Sequence, residues 1–262
     1  TDGGSAVNVV KGGNTIATLS QSGAVFTLTP HSSNNVSGAA LTFRATDGVN
    51  TAVELSATFN LSFWSATGGT VTSYSGYSQI HSFLSGTSNF VLTGSSKTVD
   101  FLIVGGGGQG GVDYGGGGGS GGLVYKASQT LAAGTYSVVV GAGGLGAANA
   151  AGTNATDSTF NSFTAKAGGR GGGESVGFAG IAGGSGGGSS FASSGGASNQ
   201  DAYSGSGFGN SGGTTYSSGN ASGSKYSPSG GGGSGSAGQN GDNHGDSGDG
   251  GAGKSYDIRT GS

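Results

Sequence analysis

Phe101–Gly111 reads FLIVGGGGQGG, an apolar run that opens into glycine. Gly106, Gly108 and Gly111 keep the G-x-G-x-x-G spacing with which a strand–turn–helix unit cradles a dinucleotide pyrophosphate. That chemistry requires a helix starting at the last glycine and an acidic residue about 20 positions further on. Val112–Gly119 reads VDYGGGGG, which does not sustain a helix, and no acid occurs from Lys126 to Ala132. A second set of letters, GDGGAGKS at Gly248–Ser255, matches the phosphate loop G-x-x-x-x-G-K-[ST]. No apolar strand precedes Gly248, and Tyr256-Asp-Ile-Arg follows where the helix should run. Neither stretch is expected to hold a nucleotide, and no cofactor is expected.

Asp242, His244, Asp246 and Asp249 form the one acidic cluster. Hard cations take carboxylates and carbonyls, so calcium is conceivable, but the spacing is not that of an EF-hand loop. Solvated side chains on an outward face account for the cluster, and no metal is expected. His31, His81 and His244 lie in unrelated contexts, so the abundant serines find no Ser-His-Asp arrangement. There is no cysteine, which excludes disulfides, thiolate ligands and a cysteine nucleophile. The chain is expected to be non-enzymatic.

The best binding candidates are aromatic residues in long polar and glycine-rich segments. They are Phe191, Tyr203, Phe208, Tyr216 and Tyr226, with Asp201 and Lys225 near them. Rings on loops present rigid contact area at low entropic cost and suit sugars or protein loops. The competing role for each ring is to cap a segment end or plug a gap.

Composition bounds what must position these residues. Glycine makes up 65 of 262 residues, against a usual share of about 7%. Charged residues are 8% against a usual ~25%. Net charge is −3 and no basic run exists, so nothing would neutralise a nucleic-acid backbone. No apolar stretch reaches the length of a membrane-spanning helix, and no membrane insertion is expected. No signal peptide is visible. The absence of methionine leads to the expectation that the sequence is a piece of a longer or processed chain.

Glycine is unevenly placed, with 12 in residues 1–104 and 53 in residues 105–262. Before the change the chain alternates as strands do. Ala24–Thr29, Ala40–Ala45 and Thr58–Phe63 have period two, and Gly12-Gly13 and Asp47-Gly48 supply turns. This predicts a partial β-sandwich over residues 1–67. A second, smaller β domain is predicted over 68–140, with strands at Gln79–Phe83, Asn89–Leu92, Thr98–Val104, Gly122–Tyr125 and Thr135–Val140. Its expected core is Ile80, Phe83, Phe90, Val99, Phe101, Ile103, Leu123, Tyr125, Leu131, Tyr136, Val138 and Val140.

From Gly141 to Ser262 conventional secondary structure is expected to run out, and essentially no α-helix is expected anywhere. Gly177, Gly180, Gly183 and Gly186 are three apart, as are Gly232, Gly235, Gly238 and Gly241. After a slip of one residue, Gly245, Gly248 and Gly251 resume the step. Three residues per turn is the period of a polyproline-II-type helix, which has no internal hydrogen bonds. Several such helices side by side can bond one another, with glycine wherever two backbones meet. The expected fold class is therefore all-β plus a polyglycine-II helical bundle with long loops. The glycines after Val104 mark a first close-packed passage, and Gly115–Gly122 its return. Collagen is excluded by two prolines and a slipping period. A flexible Gly/Ser linker is opposed by the apolar residues Phe160, Phe163, Val176, Phe178, Ile181 and Phe191.

Two resemblances follow from longer blocks. Residues 26–63, with ATDGVNTA at Ala45–Ala52, resemble the C-terminal half of a cadherin-like or immunoglobulin-like repeat. Asp2, Asp47 and Glu54 are too few acids to carry over the calcium sites of cadherins. Residues 77–262 resemble the glycine-rich domain of bacteriophage tail fibres and adhesins. The ordered blocks are IHSF, VDFLIVGGGG, GGGGGSGGLVY, LAAGTYSVVVGAGG, STFNSFTAKAGGRGGG and GDGGAGKSYDIRTGS. That resemblance implies a virion fibre protein, outside the cell, whose loops contact a bacterial cell-surface receptor, protein or polysaccharide. Other virion or tail proteins, and a homotrimer, are among the partners it implies, although no heptad is visible. A purely structural fibre or capsid-decorating protein is the competing reading. A bacterial surface or ice-binding adhesin is the third, and the irregular outward residues disfavour an ice-binding face.

Overall fold

The computed structural model describes residues 7–11, 14–22, 25–30, 36–45, 53–61, 64–74, 77–147, 150–174, 177–215, 227–242, 246–256 and 258. Among these residues the regular structure is β, in several sheets, and no α-helix occurs. The chain divides into two compact units. One takes Thr1–Thr67, Val91–Thr98 and Thr130–Gly134; the other takes Gly68–Phe90, Val99–Gln129 and Thr135–Ser262.

In the first unit, β1 (Val7–Lys11), β2 (Asn14–Ser22) and β3 (Val25–Pro30) form an antiparallel sheet in that order. β4 (Val36–Ala45) and β5 (Val53–Leu61) pair antiparallel, with Phe43 opposite Leu55 and Ala39 opposite Phe59. The described residues of the period-two runs, Val25–Thr29, Ala40–Ala45 and Thr58–Leu61, therefore lie in strands, as alternation requires. Ile16 and Ala17 on β2 are buried. β6 (Trp64–Thr67) follows, and Lys97 Nζ sits 4.7 Å above the Trp64 ring. Leu92 and Leu131 are buried in this unit.

The second unit begins with the hairpin β7 (Thr70–Tyr74) and β8 (Tyr77–Ser82). The long strands β9 (Gly86–Gly94), β10 (Lys97–Val104), β11 (Leu123–Leu131) and β12 (Gly134–Val140) come next, their ends at Val91–Gly94, Lys97–Thr98, Thr130–Leu131 and Gly134 belonging to the first unit. Strands do not stop at Val140, contrary to the expectation from sequence. β13 (Leu145–Ala147), β14 (Ala150–Thr153), β15 (Ser158–Phe160), β16 (Phe163–Ala165) and β17 (Gly207–Phe208) follow. Strands of two to four residues are too short to show a period, and β15 acquires its register from β12, Val138 lying opposite Phe160. In the second unit the strands run β16-β15-β12-β9 in the largest sheet and β10-β11-β17 in a smaller one, while β6 pairs antiparallel with Val91–Gly94 inside the first unit.

The side-chain core of this unit is Phe101, Ile103, Val124 and Ala165, with Val99, Phe160, Phe163 and Tyr203 packed against it. Along β10, Phe101 and Ile103 are buried while Leu102 and Val104 are exposed, the alternation of a half-buried strand. Phe160 and Phe163 belong here rather than among the glycine segments. Their rings lie 5.1 and 5.3 Å from that of Phe101. Of the expected core, Phe90, Phe101, Ile103, Leu123, Leu131 and Val138 are buried.

At Gly105 the mode of packing changes. Gly105, Gly108 and Gly111 donate backbone N–H bonds of 2.8–2.9 Å to the carbonyls of Gly122, Gly119 and Gly116. Residues 105–111 and 115–122 thus run antiparallel, and the return passage lies where the sequence put it. Gly116, Gly119 and Gly122 in turn donate to Gly172, Gly169 and Lys166. Gly168 and Gly171 close the ring by donating to Gly106 and Gln109. The bonds step by three residues, whereas a β ladder repeats every two. A step of three returns the same face of a segment to the same neighbour. Residues between the steps serve other neighbours, as when Gly117 and Ser120 donate to Ser229 and Gly232.

A Cβ has no room in most of these contacts. One at Gly119 would meet the Ser185 carbonyl, and one at Gly186 the Gly196 carbonyl. Hydroxyls fill what space remains. Ser185, Ser189, Ser229 and Thr215 are buried. Ser229 Oγ accepts from Ser189 N at 2.7 Å and donates to Gly213 O at 2.6 Å, and Thr215 N donates to Ser189 Oγ at 2.8 Å.

Candidate functional site

The three-residue step consumes backbone donors, and this decides the fate of the glycine motif. Gly106, Gly108 and Gly111 donate to Thr156, Gly119 and Gly116, so their amides point at protein carbonyls instead of a phosphate. Lys254, the lysine of the second phosphate-loop match, lies 4.3 Å above the Phe208 ring and 5.6 Å from that of Tyr256. Its N–H donates to Ser234 Oγ at 3.0 Å. In the acidic cluster, Asp242 Oδ1 accepts from Asp246 N at 2.9 Å and Asp246 O from Asp242 N at 3.1 Å. His244 lies outside the described residues. Among the described residues no group of three or more acidic or histidine side chains could hold a metal.

A small cleft of about 90 Å³, open to solvent, forms where the glycine passages turn. Asp113, Tyr114, Glu174, Phe178, Ser190 and Phe191 line it. Asp113 and Tyr114 make the turn between the first passage and its return, at φ of 50° and 51°. Phe191 and Ala192 leave the buried run 183–190 at φ of 43° each. Non-glycine residues at positive φ are uncommon, cost energy, and persist only where their surroundings hold them. Here Ser190 Oγ donates to Tyr114 O at 2.7 Å, and Ser190 N to Phe178 O at 2.7 Å. Glu174 N reaches Asp113 O at 3.4 Å. The rings of Phe178 and Phe191 meet at 5.4 Å and 33°, each 40% exposed, and Tyr114 is 61% exposed. Bonded turns therefore hold two carboxylates and three rings at the surface.

The pattern of a family described as a glycine-rich domain matches residues 81–262, more than half of the sequence. The chain belongs to the glycine-rich domain family. The match begins in β8 and takes in both the strand core and the glycine segments. No curated protein and no solved structure matches the chain.

Within the glycine-rich domain the expected binding residues fall in separate places. Phe191 lines the cleft. Tyr203 is half-buried against the strand core. Its ring is 5.2 Å from that of Phe163, its hydroxyl accepts from Thr164 N at 3.1 Å, and its carbonyl accepts from Lys126 Nζ at 2.8 Å. Phe208 is half-buried opposite Leu123, with its ring 5.8 Å from Tyr256. Asp201 is exposed, and its carbonyl accepts from Gln200 Nε2 at 3.3 Å. Tyr216, Lys225 and Tyr226 lie outside the described residues.

Tyr256 also stacks on Tyr125 at 4.4 Å and 22°. Burial, and then Tyr125, raises the Tyr256 hydroxyl above its ordinary pKa of 10.0. Tyr125, Phe208, Lys254 and Tyr256 form a stack that secures the Lys254–Tyr256 segment to β11. Asp113, Tyr114, Glu174, Phe178 and Ser190 were not among the expected binding residues. The signal available for them was weak: a charged or aromatic residue interrupting glycine, as in VDYG and VGFAG.

Proposed function

We propose that this chain is a non-enzymatic virion fibre protein whose glycine-rich domain is a host-attachment tip. In this reading the glycine segments form a polyglycine-II-type bundle, supported by hydrogen bonds that step by three residues. The antiparallel sheets of residues 7–61 form part of an immunoglobulin-like or cadherin-like stalk module. Attachment works by surface complementarity. Rings and carboxylates on bonded turns present a fixed face to a bacterial receptor, with little entropy left to lose on binding. The observation that carries the reading is the cleft at Asp113, Tyr114, Glu174, Phe178 and Phe191, which combines exposed rings with turns held at positive φ. Loops on a rigid scaffold are where binding concentrates.

The test is attachment. Fluorescently labelled chain is expected to decorate the cells to which the intact particle attaches, and Phe191→Ala is expected to weaken it while Phe208→Ala, in the Tyr256 stack, does not. Failure to bind any cell that the particle itself binds would leave a purely structural fibre protein as the better account.

A further inference from the structure

Each sheet of the molecule has two outer strands, whose free N–H and C=O groups are a template for another strand. Most of them carry a device against such pairing. β1 ends in Lys11 and β3 in Pro30, β4 and β5 hold Arg44 and Glu54, and β10 holds Lys97 and Asp100. β6, β13, β14 and β17 have only two to four residues. The free side of β16 is bonded by side chains. Gln200 Oε1 accepts from Lys166 N at 2.8 Å, Gln200 Nε2 donates to Thr164 O at 3.1 Å, and the Tyr203 hydroxyl accepts from Thr164 N at 3.1 Å. The ribbon of β7 and β8 has no charge and no proline, and no Asp, Glu, Lys or Arg occurs from Leu55 to Ser96. β8 packs inward: Ile80 and His81 are half-buried, and the His81 ring meets that of Phe90 at 5.1 Å. β7 does not. Thr70, Val71, Thr72 and Ser73 are all exposed, so both faces of the strand meet solvent. Among the described residues β7 pairs with β8 alone.

We infer that β7 is a docking edge for a second copy of this chain, the two β7 strands pairing antiparallel about Val71. The inference goes beyond the attachment reading and does not depend on it. A two-stranded ribbon is marginal in water, and three or more strands are needed for a stable sheet. A second copy brings a ribbon with the same shortfall, and joining the two gives four strands in the order β8-β7-β7-β8. About Val71, that residue lies opposite itself and Thr70 lies opposite Thr72, so every pair is β-branched and no charges meet. Val71 is 46% exposed in the single chain, and the pairing covers it. The β7–β8 ladder is regular over Thr70–Thr72 and shifts only between Thr72 and Tyr74, which sets the pairing on the regular part of the strand. Such a contact is isologous and uses up both edges, so the assembly closes at two chains.

The experiment follows the full chain by sedimentation between about 1 μM and about 1 mM, the span over which weak pairing shows. The expected result is a concentration-dependent passage from the 24.5 kDa monomer to a dimer. Amide hydrogen exchange at residues 70–73 should slow in the dimer, while exchange in β10 and β16 stays the same. Val71→Lys and Val71→Glu each place like charges opposite one another and should weaken pairing about fivefold. An equimolar mixture of the two variants should pair more tightly than either alone, because Lys then faces Glu. Recovery in the mixture also shows that both variants fold. A chain that stays monomeric over the whole range, or forms trimers in place of dimers, would overturn the inference. So would association without slower exchange at residues 70–73, pairing that neither variant weakens, or a mixture that pairs no better than its components.

Discussion

The strand core and the glycine segments adjoin in one compact unit, yet they are held by opposite means. Around Phe101 the chain is held by what its side chains fill. Phe101, Ile103 and Val124 are removed from water, each worth about 1.5–3 kcal/mol. Around Gly119 it is held by what its side chains do not occupy. Backbones meet at 2.8–2.9 Å N···O distances because no Cβ separates them, and each bond contributes about 0.5–1.5 kcal/mol net. Ordering glycine costs more entropy than ordering any other residue, so only a dense set of such bonds sustains the second region. The lesson is one of sign. Deletion should damage the first region, and addition should damage the second.

The largest expected effect is in the strand core. Phe101→Ala empties the contacts with Phe160 and Phe163 and should cost about 3–5 kcal/mol in urea unfolding. Next comes Gly119→Ala, whose methyl would meet the Ser185 carbonyl and the Gly186 backbone; overpacking of this kind costs about 1–3 kcal/mol. Gly107→Ala is its control. Nothing lies within 4 Å of that Cβ position, so the change should stay within about 0.5 kcal/mol of wild type. Equal effects at the two glycines would break the contrast, since backbone proximity would then not be what matters.

Ser229→Ala sharpens it further. It removes the short bonds at Ser189 N and Gly213 O without adding bulk, leaves those two atoms their longer contact at 3.3 Å, and should cost about 0.5–1.5 kcal/mol. The smallest effect is at the Tyr256 stack. Tyr256 holds its proton above the ordinary value, so the native state binds that proton more tightly than the unfolded chain does. Stability from this group is full below about pH 10 and falls as pH rises through the native value. The urea midpoint should drop less between about pH 9 and about pH 11 in Tyr256→Phe than in wild type.

Much of the fold was legible because its signals are local. The apolar strand of Thr98–Val104 put Phe101 and Ile103 in the expected core, where they are buried, and the glycine count placed the seam at Gly105. The antiparallel return of 115–122 follows from a short turn at 112–114. The candidate site was far less legible. Phe191 was expected to bind, but Phe178 read as apolar punctuation, and Asp113, Tyr114 and Glu174 carried no periodicity. Tyr203 looked like a loop ring until Thr164, Phe163 and Lys126 claimed it from 39 to 77 positions away. Phe160 and Phe163 joined the strand core for the same reason, their register being supplied by β12 and by each other.

By itself the sequence determined two things: where side chains would do the packing, and where glycine at intervals of three would let backbones do it. Both are properties of consecutive residues, set by side-chain alternation and by the room a missing Cβ leaves. Tertiary structure alone decided which passages bond to which. Gly168 closes a ring onto Gly106 across 62 positions, and Phe191 meets Phe178 only after the segment between them has packed and turned back. A glycine passage offers every neighbour much the same backbone. Its partner is therefore chosen by the turns and serines around it, and the cleft exists only once that choice is made.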